Sequence, residues 1–152
     1  MNEPRKPGLY PPAYLALHAL VMVGLHFFFP LARWIPSPIH YLGAVPVLLG
    51  LALVLNGASL FRRHETTIKP FEESSALVIT GPYRLSRNPI YLGMAVSLAG
   101  IAVLLGSATP WIAVLVFVWL ISALFIRQEE AMLENHFGAQ YLEYKARVRR
   151  WI

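Results

Sequence analysis

Pro89-Ile-Tyr-Leu-Gly-Met-Ala-Val-Ser-Leu-Ala-Gly-Ile-Ala-Val-Leu-Leu-Gly106, then Ser107-Ala108-Thr109, then Pro110-Trp-Ile-Ala-Val-Leu-Val-Phe-Val-Trp-Leu-Ile-Ser-Ala-Leu-Phe-Ile126, is the stretch that decides the fold. Neither apolar half carries a charge. A bilayer-spanning helix needs about 20 mostly apolar residues, within a range of about 17 to 25, and each half reaches the short end of it. A proline opens each half, where its fixed φ and missing N–H suit the first helical turn. With only Gly106-Ser-Ala-Thr109 between them, the halves must fold as a tight antiparallel hairpin. Gly93, Ser97 and Gly100, with Ala95 and Ala99 between them, permit close helix approach in lipid, and packing is the favoured reason for them.

Two further apolar stretches lie upstream. Ala13 to Phe29 is bracketed by Pro11, Pro12 and Pro30, and Ile39 to Phe61 follows Pro36 and Pro38. The expected architecture is therefore all-α and integral to the membrane. It has four transmembrane helices at about 13–29, 39–61, 89–106 and 110–126, a loop over 62–88 and a tail over 127–152, in a single domain covering 1–152. Composition agrees: of 152 residues 57% are hydrophobic and only 14% charged, where a soluble domain carries about 25% charged residues. Mean hydropathy is +0.53.

The net charge of +5 would raise the question of nucleic acid in a soluble protein. Here the basic residues flank apolar runs, so membrane lipids are the expected partners and nucleic acid is not. Arg5 and Lys6 precede the first helix; Arg62, Arg63, Lys69, Arg84 and Arg87 fill the loop; Arg127, Lys145, Arg147, Arg149 and Arg150 follow the fourth helix. The opposite side has only Arg33. That asymmetry places both termini and the loop on the cytoplasmic face of the cytoplasmic membrane. In the tail, Tyr141, Tyr144, Val148 and Trp151 fall at helical spacing among basic residues, the pattern of an interfacial amphipathic helix.

Chemistry is confined to that one side. The chain has no cysteine, and its acidic residues are eight glutamates. His18 and His26 lack the spacing of a helical metal site and read as packed or hydrogen-bonded side chains; no metal is expected. Asn56 reads as interhelical glue. Gly81-Pro-Tyr-Arg-Leu-Ser-Arg-Asn-Pro-Ile-Tyr91 puts an N-cap asparagine and an N1 proline at the mouth of a helix beside Arg84 and Arg87. Such a pocket suits a carboxylate or phosphate, although capping and positive-inside arginines alone would look the same. Arg127-Gln-Glu129-Glu130 puts two carboxylates at a helix end near the hydrocarbon boundary, against the macrodipole. They require compensation by arginine or by a cationic ligand.

Leu77-Val-Ile-Thr-Gly-Pro-Tyr-Arg-Leu-Ser-Arg-Asn-Pro-Ile-Tyr91, followed by Glu129-Glu130-x-x-Leu133-x-x-x-Phe137-Gly138-x-x-Tyr141-x-x-Tyr144, resembles the isoprenylcysteine carboxyl methyltransferase family, phospholipid methyltransferase-like enzymes embedded in membranes. The resemblance implies S-adenosylmethionine as cofactor. By the same resemblance it is held by Ser75, Ala76, Leu77 and Val78, by Tyr83, by Asn88, Pro89, Ile90 and Tyr91, and by Glu129; Arg87, beside the helix mouth, is a further cofactor-binding candidate. Arg127 and Glu130 are the candidates for a catalytic part. Three positions depart from the family pattern: Asn88 and Ser75 stand where histidines are usual, and Phe125 stands where an arginine holds the substrate carboxylate. The implied acceptor is thus a lipophilic small molecule or lipid: a prenyl-like carboxylate, a phospholipid amine or a small thiol. The alternatives are a nicotinamide-dependent membrane reductase of related helical architecture and a non-enzymatic membrane scaffold. The oligomeric state is left open.

Overall fold

The computed structural model describes residues 8–67, 69–70 and 74–152, so Arg5 and Lys6 lie outside the described residues. Among those described, the regular structure is helical, with one isolated bridge between Arg33 and Ser107. Helix α1 is Pro11–Phe28; a 3-10 turn, Ile39–Gly43, leads directly into α2, Ala44–Arg63. After the loop a second 3-10 turn, Gly81–Arg84, precedes α3, Pro89–Leu105. Helix α4, Pro110–Ile121, passes through a π turn, Ser122–Ile126, into α5, Arg127–Phe137, and α6 is Ala139–Arg147.

Three helical segments are long and apolar enough to cross a membrane: Pro11–Phe28, Ile39–Arg63 and Pro110–Phe137. Helix α3 is apolar but shorter, at 17 residues. The last span corrects the sequence reading, which ended the fourth helix at Ile126 with the final apolar residue. Nothing in Arg127-Gln-Glu-Glu-Ala-Met-Leu breaks a helix, since these are good helix formers. The helix stops at Gly138, whose φ is +52°. Glu129 and Glu130 consequently stand inside a continuous helix, and the macrodipole no longer opposes them. Similarly, Pro11 and Pro12 form the first turn of α1 rather than bracketing it.

Helix α3 is enclosed by its neighbours. Its Met94, Ala95, Leu98 and Ala102 form the core with Met22 of α1, Ala113, Phe117 and Ile121 of α4, and Phe125 and Ile126 of the π turn. The outer helices leave Leu20, Leu48, Leu55, Leu115 and Trp119 exposed, as suits lipid rather than water as solvent.

Helices α2 and α3 meet backbone to backbone. Gly43, Gly50 and Gly57 recur every seventh residue from the end of the 3-10 turn through α2. A Cβ on Gly43 would come within 2.5 Å of the Gly100 carbonyl oxygen, and one on Gly93 within 2.5 Å of the Gly50 carbonyl oxygen. The packing reading of the α3 glycines therefore holds. The expected hairpin also forms: Gly106 takes a left-handed φ of +72°, and its N–H caps α3 on the Ala102 and Val103 carbonyls. The segment before α2 clasps that turn, with Trp34 N donating to Gly106 O and Ala108 N to Ala32 O.

His18 Nδ1 donates to the Tyr14 carbonyl, and His26 Nδ1 bonds Ser107 Oγ at 2.8 Å, both structural roles. Asn56 is exposed and forms no interhelical bond among the described residues, its backbone carbonyl accepting from Ser59 Oγ within the helix, contrary to expectation. The start of α1, the loop and the tail all gather at one end of the bundle, where α3 begins.

Candidate functional site

At that end lies a cleft of about 670 Å³. Its apolar side is Val54, Ala58 and Phe61 of α2 with Ile90 and Met94 of α3, and Tyr10, Pro11 and Pro12 of α1 close one flank. The loop contributes Ala76, Leu77, Val78, Tyr83, Arg87 and Asn88; α5 contributes Glu129, Glu130 and Leu133; α6 covers it with Tyr141 and Tyr144.

The two glutamates do different work. Glu129 accepts a 2.6 Å hydrogen bond from the Tyr91 hydroxyl, and among the described residues it pairs with no cation. Glu130 is wholly engaged. Arg87 Nη2 donates to its Oε1 at 2.9 Å, and Arg150 donates through Nη2 to Oε2 at 2.6 Å and through Nε to Oε1 at 3.0 Å. The Glu130 and Arg87 side chains are only 9% and 8% exposed, so loop, α5 and tail are tied by a buried charge cluster. Burying these charges is tolerable because each carboxylate oxygen is matched by guanidinium donors.

Backbone contacts reinforce the tie. Arg87 N donates to Arg149 O, and the Arg150 carbonyl accepts from Ser86 Oγ and from Asn88 Nδ2. The Asn88 side chain is thus spent on the tail and does not cap α3, which corrects the N-cap reading; Asn88 nevertheless precedes the N1 proline as expected.

Helix α6 differs from the interfacial helix read from sequence. It ends at Arg147, before Val148 and Trp151, and its aromatic face is covered by protein: Tyr141 is 1% and Tyr144 5% exposed. The Tyr144 hydroxyl donates to Tyr83 O at 2.6 Å. Burial, with Tyr141 alongside, pushes its pKa upward, so it remains a donor. Burial and then the Glu130 charge push Tyr141 up to about 12, and its hydroxyl has no hydrogen-bond partner among the described residues. Arg87 Nε and Nη1 are likewise buried and unpartnered among the described residues.

Of the residues singled out in sequence, Ala76, Leu77, Val78, Tyr83, Arg87, Asn88, Ile90, Tyr91, Glu129 and Glu130 line this one cleft. Pro89 is buried behind it. Ser75 is exposed and turned away, donating through Oγ to Glu65 O and through N to Thr66 Oγ1. Arg127 is exposed and does not line the cleft, and Arg84 is exposed as well. Tyr141 and Tyr144 are residues whose place the sequence reading missed. Their spacing was visible, but periodicity alone does not say whether protein or lipid covers a helix face.

The cleft joins residues from both sequence motifs, so a match to a known family can be read against geometry. The phospholipid methyltransferase family matches over residues 38–140, from the turn before α2 into α6. The chain belongs to the phospholipid methyltransferase family. Within that family's reach, it is 41% identical over 78 residues to protein-S-isoprenylcysteine O-methyltransferase A of Arabidopsis thaliana, covering 51% of this chain and 40% of that one. It is 32% identical over 115 residues to a probable protein-S-isoprenylcysteine O-methyltransferase of Oryza sativa subsp. indica, covering 72% and 59%. An uncharacterized protein of Haemophilus influenzae is 36% identical over 63 residues, 41% of this chain and all of its own. The chain thus spans roughly two to three fifths of the length of the plant relatives. No solved structure matches it.

The residues present fit S-adenosylmethionine, the methyl donor that a methyltransferase family implies. Its amino-acid end carries one carboxylate and one ammonium. Among the described residues the cleft offers unpartnered donors on Arg87 and Tyr141, and a carboxylate, Glu129, with no counterion.

Proposed function

We propose that this chain is an S-adenosylmethionine-dependent methyltransferase acting on a lipophilic acceptor at the cytoplasmic face of a membrane. The observation that carries the reading is the pairing, in one partly apolar cleft, of buried unpartnered donors on Arg87 and Tyr141 with an unpaired Glu129. Leaving buried polar groups unpaired costs about 1–3 kcal/mol each, more when charged. A ligand bearing both a carboxylate and a cation relieves every one of them. Arg87 and Tyr141 would take the carboxylate, and Glu129, oriented by Tyr91, the ammonium. Ala76, Leu77, Val78, Tyr83, Asn88 and Ile90 supply the remaining contacts.

When bound, the cofactor supplies a methyl group already activated on a sulfonium. The protein's own task is then alignment and exclusion of water. Glu130 serves it indirectly by fixing Arg87, and α6 serves it by covering the cleft with Tyr141 and Tyr144. Val54, Ala58, Phe61 and Met94 give a hydrocarbon tail an apolar wall. An isoprenylated cysteine is the first acceptor to test, because the relatives' names point to it, and a phospholipid amine is the second. With a carboxylate acceptor no general base is needed; an amine acceptor would require one. Phe125 lies in the core against Tyr14 and Tyr91 and offers no cation to a substrate carboxylate.

The same reading makes α3 the fourth crossing, shielded by its neighbours. Arg127 is then a basic residue at the cytoplasmic boundary rather than a catalytic one. The test is transfer of labelled methyl from S-adenosylmethionine, with detergent-purified protein, to a farnesylated cysteine analogue and to a phospholipid extract. Label in either acceptor, lost in Glu129→Gln, supports the proposal. No label in either, with folded protein, overturns it.

A further inference from the structure

The join between α4 and α5 changes the register of the helix. On an unbroken α-helix each residue advances about 100°. Counted from Phe117, which faces the core, Glu129 would then stand about 120° away and Glu130 about 220°, on the outer side. The structure differs. Through the π turn the Arg127 N–H reaches Ser122 O, five residues back, so the turn holds one residue more than an α-helix would. Every later residue therefore lags by about 100°, which puts Glu129 about 20°, Glu130 about 120° and Arg127 about 180° from Phe117.

The observed placements follow the lagged register. Glu129 turns inward to Tyr91, Glu130 sits at the flank on Arg87 and Arg150, and Arg127 is exposed. Adjacent Phe125 and Ile126 are both fully buried, two side chains where the apolar stripe has room for one step. Side chains bracket the widened turn: Ser122 Oγ donates to Val118 O at 2.7 Å and Gln128 Nε2 to Leu124 O at 3.0 Å.

We propose that this π turn is a positioning element: its single surplus residue assigns Glu129 to the ligand cleft and Glu130 to the arginine cluster. The part concerning ligand rests on the methyltransferase reading; the register does not. A consequence is asymmetric tolerance. Deleting Ala123 lets the turn relax to an α-helix while every residue from Arg127 onward keeps its place. Inserting one alanine after Ala123 pushes the glutamates one step past their partners. In that background residue 128 stands where Glu129 did and Glu129 where Glu130 did, so the arginines keep a glutamate, the cleft receives Gln128, and Gln128→Glu restores the cleft carboxylate.

The experiment is thermal unfolding in detergent of each background with and without removal of the carboxylate that faces the arginines, alongside calorimetric binding of S-adenosylhomocysteine. In the deletion background, Glu130→Gln should lower the midpoint as much as it does in the parent, and binding should stay within about threefold. In the insertion background Glu130→Gln should leave the midpoint unmoved and binding should fall at least about tenfold. Glu129→Gln should lower the midpoint there instead, and adding Gln128→Glu should recover binding. Loss of the Glu130 effect in the deletion variant, or its survival in the insertion variant, overturns the proposal. If the parent binds no adenosyl ligand, the methyltransferase reading fails while the midpoints still decide the register.

Discussion

Replacing Glu130 by glutamine removes the charge that holds two arginines while keeping nearly the same shape. Glu130 and Arg87 are 9% and 8% exposed, so the variant leaves a buried guanidinium without its counterion. Breaking a buried pair in this way costs about 3–5 kcal/mol. Arg150 is 37% exposed, and its pairing is worth nearer about 1 kcal/mol because water screens it. For a chain of this size about 1 kcal/mol moves the midpoint by roughly 2–4 °C. Glu130→Gln should therefore lower the midpoint by about 6–20 °C and Arg150→Gln by only about 2–4 °C. The double variant should be no worse than Glu130→Gln alone, because the two share one interaction. Circular dichroism during heating in a mild detergent reads all three. A Glu130→Gln protein that melts within about 2 °C of the parent would show that the buried cluster does not hold loop, α5 and tail together.

Four further outcomes follow from the geometry. Glu129→Gln should weaken adenosyl-ligand binding without altering membrane insertion or the melting midpoint, as calorimetry and carbonate extraction would show; unchanged affinity would remove Glu129 from the site. Tyr91→Phe deletes the 2.6 Å bond to Glu129 and should cost about 1.5–3 kcal/mol of binding, roughly 10- to 100-fold in Kd. Gly50→Leu must part α2 from α3, because even a Cβ would collide with Ser97 and the Gly93 carbonyl; folded yield in detergent should collapse, whereas Gly24→Ala, with open space around it, should be neutral. A chain ending at Gly138 should insert yet lose binding, since it lacks Tyr141, Tyr144 and Arg150.

Much of this was legible in the residues. Uncharged runs longer than a turn of globular helix can use, separated by Gly106 and by prolines, were enough for an apolar helical bundle, and the basic residues fixed which ends gather. The two motifs named most of the cleft because each is local: Gly81-Pro-Tyr and Asn88-Pro-Ile-Tyr are read as strings. Register was not legible. Whether Ser122–Ile126 is an α or a π turn depends on tertiary packing, and on it hangs whether Glu129 or Glu130 faces the arginines. Likewise Arg150 lies 20 residues from Glu130, and nothing local marks them as partners. The seven-residue spacing of Gly43, Gly50 and Gly57 was present in the sequence as a signal for close helix contact and is explained only by its counterpart on α3.

The most direct measurement is calorimetric titration of detergent-purified protein with S-adenosylmethionine and S-adenosylhomocysteine, with reduced nicotinamide dinucleotide as the control. Micromolar binding of the adenosyl ligands alone, weakened in Glu129→Gln, is the expected result. A folded protein that ignores both adenosyl ligands would contradict the assignment of the cleft.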